Sequence, residues 1–141
     1  MPDPTTLATV ASVIAAFGSV MLIFRIQREI DMHAAGEVNW IPRSDWLLVA
    51  ATLTALLIVL LPEVLFADSR LFGRRIPTAG CAAALVGIAG YIPALLAHYR
   101  LLFGSGRTGP RLNPEPAEQK VFVLTWAAAF GVFFLSLVLT A

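Results

Sequence analysis

Charge is scarce in this chain. Acidic and basic residues make up 13% of the 141 positions, against about 25% in an ordinary soluble domain. A surface with so few charges cannot be covered for water. The net charge of +1 is too small to argue for a nucleic-acid partner. Cys81 is the only cysteine, so an internal disulfide and a paired-cysteine metal site are excluded. It lies inside an apolar run and is expected to be a small buried hydrophobe. The two histidines, His33 and His98, do not suit a haem sandwich, because only His98 falls in an apolar run. No G-x-S-x-G, Walker loop or H-E-x-x-H motif occurs. No cofactor is therefore expected.

What the chain has is apolar length. Hydrophobic residues are 58% of the sequence and the mean hydropathy is +0.80. Four runs, about 5–24, 46–67, 78–99 and 121–141, take up most of it. About 20 apolar residues at a rise of 1.5 Å match the ~30 Å hydrocarbon core of a bilayer. Barrel strands are only about 10 residues long, and a helix satisfies its own backbone in lipid. The expected fold is all-α: a polytopic membrane protein, one antiparallel bundle of four transmembrane helices. The four spans and their connections use residues 1–141 as a single domain.

The ends of the runs carry local signals. Beyond Phe24, Arg25 and Glu29 are spaced i,i+4, as are Glu29 and His33, and Ile26 and Ile30 share a face. The first helix is expected to continue to near Ala35, about 15 Å beyond Phe24, with Gly36 as its stop. Ser44 is the expected N-cap of the second helix, with Asp45 in its first turn. Pro77 can open the third helix and Pro93 should kink it. Asn113 or Glu115 is expected to cap the fourth. Small-residue rows, Ala8–Ser12–Ala16, Ala11–Ala15–Ser19, Ala83–Gly87 and Ala127–Gly131, suit close helix approach in lipid. They point to a tight bundle, a homo-oligomer or a partner membrane subunit.

Charge also orients the chain. Arg25, Arg28, Arg43, Arg100, Arg107, Arg111 and Lys120 border one side, and Arg70, Arg74 and Arg75 the other. The richer side is expected in the cytoplasm, leaving both termini outside. Positive charge follows the first run instead of preceding it, the reverse of a signal peptide, so an uncleaved first helix is expected. Nine arginines against one lysine and abundant alanine suggest a GC-rich bacterial genome, hence a bacterial inner membrane.

Two places can carry chemistry. Arg25, Arg28, His98, Tyr99 and Arg100 should lie at one depth on the cytoplasmic rim, where they suit an anionic headgroup of a membrane lipid. Glu63 is the only acid within a run and sits near its outer end beside Pro62, a candidate ion or proton site. Glu29 and His33 have metal-ligand spacing but no third ligand, so no metal site is expected.

Two four-span families of this length provide comparisons. Small multidrug transporters carry a membrane-embedded Glu in the first helix, and this first helix has none. The membrane-associated eicosanoid and glutathione enzymes share the span count and the long first connection. Of their Arg-Ala…Asn…Glu pattern, only Glu37-Val38-Asn39-Trp40 is an echo. The residues assign the chain to neither. The reading they favour is a non-enzymatic accessory or assembly subunit. The alternatives are a small enzyme or lipid-binding protein working at the rim, and an ion or proton pathway at Glu63.

Overall fold

In the computed structural model, residues 2–35, 42–65, 74–99 and 115–139 are described. They form four helices: α1 (Pro4–Ala34), α2 (Ser44–Leu65), α3 (Arg75–His98) and α4 (Glu115–Leu139). Each is long and apolar enough to cross a bilayer. The fold is all-α, an antiparallel four-helix membrane bundle, and no strand occurs among the described residues.

α1 starts where Asp3 caps it. The Asp3 carboxylate accepts from the Thr6 N–H at 2.9 Å and from the Thr6 hydroxyl at 2.7 Å, and Pro4 opens the first turn at no hydrogen-bonding cost. The helix then runs unbroken to Ala34, as the spacing beyond Phe24 anticipates. Gly36 lies outside the described residues, as do Trp40, Arg70, Arg100 and Asn113.

α2 departs from expectation at both ends. Arg43, not Ser44, occupies the cap position, without a side-chain cap bond, and Ser44 is the first helical residue. Its backbone N–H is taken by a side chain from another helix, described below, and the Asp45 and Trp46 N–H groups by the Pro42 and Arg43 carbonyls at 3.3 and 3.1 Å, so the first turn closes without a side-chain cap. Farther on, Ala55–Leu60 widens into a π-helical turn, with the Leu61 N–H donating to the Leu56 carbonyl. Pro62 follows directly. It lacks an N–H and its ring would press on the carbonyl four residues back, so a wider turn there relieves both defects.

α3 starts at Arg75, placing Pro77 in its first turn, and continues through Pro93. α4 begins at Glu115 with Pro116 in the first turn, where proline is tolerated.

α2 and α3 form the centre. α1 packs on both from one side, and α4 packs chiefly on α3 with a lighter contact to α2. In lipid there is no water to expel between helices, so close packing holds the bundle. Small residues provide it. Ala11, Ala15, Ala51, Ala55, Ala79, Ala84, Ala94 and Ala97 are all buried. Gly18 lies against Thr52, Gly87 against Ala51, and Gly90 against Thr125. Cys81 is buried at 5% exposure among these residues, the small hydrophobe expected. The rows expected from spacing are used in part. Ala11, Ala15 and Gly87 face inward, while Ser12, Ala16, Ala127 and Gly131 face outward.

Candidate functional site

Buried polarity collects at one end of the bundle, where α1 and α3 finish and α2 and α4 begin. The inward stripe of α1 is Leu7, Ala11, Ile14, Gly18 and then Arg25. Helical spacing therefore carries a guanidinium into the packed interface, at 6% exposure. Three helices engage it. Arg25 Nε donates to the Asp45 carboxylate of α2 at 3.1 and 3.3 Å. Nη1 donates to the Tyr99 hydroxyl at the end of α3 at 2.8 Å. Nη2 donates to Glu29, one turn on in α1, at 3.4 Å.

A second knot lies beside it. Glu118 of α4 is 1% exposed. One oxygen accepts the Ser44 N–H at the start of α2 at 2.7 Å. The other lies 2.8 Å from His98 Nδ1 at the end of α3, which donates its proton to the carboxylate. Free N–H groups and positive dipole at a helix start favour such an anion. Glu118 thus joins three helices, as Arg25 does from the other side. His98 and Tyr99 meet edge to face with ring centroids 5.2 Å apart, so the two knots touch through adjacent residues of α3.

Of the rim residues expected together, four are placed. Arg25 and Tyr99 are hydrogen-bonded, and Arg28 stacks its guanidinium 4.5 Å from the centre of the Tyr99 ring, a cation–π arrangement. His98 turns to Glu118. Arg100 lies outside the described residues. Glu63 is half-buried in the last turn of α2, at the opposite end of the bundle from both knots.

Asp45 and Glu118 are the site residues that sequence reasoning passed over. Asp45 reads as a helix-dipole partner, and Glu118 drew no reading. The available signal was the stripe of α1: a buried Arg25 demands a carboxylate from a neighbouring helix, and Asp45 is the acid at the same depth on α2.

Beside the Arg25 knot, α1 and α2 diverge and leave a groove of about 720 Å³. Leu22, Ile26, Ile30, Trp46 and Val49 make its apolar walls, and Arg25, Glu29, His33 and Asp45 its polar edge. Glu29 Oε2 is buried there with no hydrogen-bond partner among the described residues. These residues contain no group of three or more His, Cys, Asp or Glu able to hold a metal ion.

Fold and site define the class: a small membrane protein whose four apolar helices are pinned at one end by buried ion pairs. No protein-family model, curated protein or solved structure matches the chain.

Proposed function

We propose that this is a non-enzymatic accessory or assembly subunit of a bacterial inner membrane, with both termini outside and the Arg25–Glu118 end in the cytoplasm. One observation carries the reading. The two most buried charges spend their hydrogen bonds on neighbouring helices, so they build the bundle and are not held in reserve for a substrate. Two of the buried hydroxyls are likewise spent inside their own helices, while Ser44 Oγ, Thr78 Oγ1 and Tyr91 OH are buried with no hydrogen-bond partner among the described residues. Thr52 donates to the Leu48 carbonyl at 2.7 Å and Thr125 to the Val121 carbonyl at 2.8 Å. Cys81 is enclosed by aliphatic residues, with no base beside it among the described residues.

The surface supports the same reading. Of the described residues of α4, only Glu118, Thr125 and Ala129 are buried. The outward row Ala127–Gly131 is open, with nothing within 4 Å of where a Gly131 Cβ would stand. A partner helix could approach there closely.

The test is isolation of the chain from its own membrane in polymer nanodiscs, without detergent, with crosslinkers placed at Ala127 and at the lipid-facing Val13. A stoichiometric protein partner crosslinked from Ala127 and not from Val13 is expected. A chain recovered with lipid alone, at either position, would overturn the subunit reading.

A second reading, lipid binding at the rim, is favoured by the groove between α1 and α2. The ion-pathway reading of Glu63 has less support, because the buried polar side chains between it and the Arg25 end include no charged group among the described residues.

A further inference from the structure

The groove beside Arg25 has a chemistry of its own. Its walls are aliphatic and aromatic: Leu22, Ile26 and Ile30 from α1, and Trp46 and Val49 from α2. Ile26, Ile30 and Trp46 are among the most exposed large apolar residues in the protein. Leu22 lies within the first apolar run, and Glu29 lies seven residues farther on, about 10 Å along the helix axis. The groove therefore crosses from hydrocarbon to headgroup level, with Trp46 at its edge in the usual interfacial position for tryptophan. A water-soluble ligand would have no use for the apolar part. A lipid would use both parts.

At the polar edge, which His33 completes, the carboxylates outnumber the guanidinium. Two carboxylates, Glu29 and Asp45, share one guanidinium, and that guanidinium also serves Tyr99. Asp45 receives the closer contact, at 3.1 Å against 3.4 Å for Glu29. Glu29 Oε2 is left buried with no hydrogen-bond partner among the described residues. A buried acceptor on a charged group is costly to leave unmade. Of the neighbouring cations, Arg28 is stacked on the Tyr99 ring, and neither Arg28 nor Arg43 lines the groove. The complement to this edge is a positive group carrying N–H donors.

We propose that the groove binds a membrane lipid with a primary-ammonium headgroup, the ammonium donating to Glu29 Oε2 and one acyl chain lying between Ile26, Leu22, Trp46 and Val49. This reverses the sign of ligand expected at the rim, because the guanidinium that would hold a phosphate is already engaged by carboxylates. The assignment does not depend on a protein partner, so it stands or falls separately from the subunit reading.

The test uses the full chain in detergent, loaded with equal amounts of phosphatidylethanolamine and phosphatidylglycerol of identical acyl chains, and read by native mass spectrometry. Wild type should retain the ethanolamine lipid with roughly tenfold preference, the size of a charge-assisted hydrogen bond at the weak end of its range. Glu29→Gln should lose that preference while keeping its helical circular dichroism. Val49→Trp, which fills the groove, should lower retention of both lipids. Equal retention by wild type, or an unchanged preference in Glu29→Gln, would overturn the assignment. A preference for phosphatidylglycerol would also overturn it and would favour the anionic headgroup instead.

Discussion

Removing the Glu118 carboxylate should loosen three helices at once. In Glu118→Ala the Ser44 N–H loses its 2.7 Å acceptor and His98 loses its 2.8 Å acceptor. Hydrogen bonds to a charged group are worth about 1.5–3 kcal/mol each, which sets an upper bound near 6 kcal/mol. Deleting the carboxylate also removes the cost of burying it, several kcal/mol for an ion taken from water. The net loss should therefore be about 3 kcal/mol, in line with the ~3–5 kcal/mol found when one partner of a buried pair is deleted. Glu118→Gln keeps the volume and an acceptor for Ser44, and should cost only about 1–2 kcal/mol. Equilibrium unfolding in mixed micelles, titrated with a denaturing detergent, would rank wild type, Gln and Ala in that order. Amide exchange at Ser44 should rise in Glu118→Ala while exchange in the middle of α3 stays slow. An Ala variant within about 1 kcal/mol of wild type would refute the idea that Glu118 locks this end.

Two further outcomes follow from the geometry. The same substitution should have opposite effects at two glycines: Gly18→Ala drives a Cβ into the Thr52 hydroxyl and should destabilise by about 1–2 kcal/mol, whereas Gly131→Ala meets nothing and should stabilise slightly through helix propensity, by up to about 1 kcal/mol, both read from the same unfolding titration. At the other end of α1, the Thr6 hydroxyl and then the Thr6 N–H hold the Asp3 carboxyl below its ordinary value. The cap's contribution is then complete above an unfolded value of about 3.9 and is lost as pH falls through the lower folded one. A carbon-13 titration of Asp3 should show a midpoint below that of an unstructured aspartate, and an ordinary or raised midpoint would rule the cap out.

The helices were legible because lipid imposes a length and a composition on any segment that crosses it. The extension of α1 was legible because Arg25, Glu29 and His33 repeat at i,i+4. The rim cluster was legible as a shared depth, since Arg25 follows one span and Tyr99 ends another. Its chemistry was not, because that depends on rotation about the helix axis. Arg25 belongs to the inward stripe of Leu7, Ala11, Ile14 and Gly18, so it meets Asp45 instead of solvent. Glu118 was hidden for another reason. It precedes the apolar run and lies among polar residues, Gln119 and Lys120, so nothing in its neighbourhood marks it as buried. The expected start of α4 near Glu115 already places Glu118 in its first turn, but only the packing of α4 against α3 and α2 brings its carboxylate to the Ser44 N–H and His98. The groove was invisible in sequence, since it arises from the divergence of two helices whose residues are some twenty positions apart. The π-helical turn before Pro62 was likewise unannounced, although a proline near a helix end is a standing reason for such a turn.

The central claim is that paired charges close one end of a four-span bundle, the end proposed to face the cytoplasm. Its most direct test is cysteine labelling in whole cells with a membrane-impermeant maleimide, in a Cys81→Ala background. A single cysteine is placed at Gly106, which lies in the connection from α3 to α4, outside the described residues. The same account puts a cysteine at Pro2, before α1, on the other side. The Pro2 position should label in intact cells, and the Gly106 position only after permeabilisation. Labelling of Gly106 in intact cells with Pro2 unreactive would turn the bundle over and place the Arg25–Glu118 end outside the cell, and labelling of both positions in intact cells would contradict the four-span arrangement.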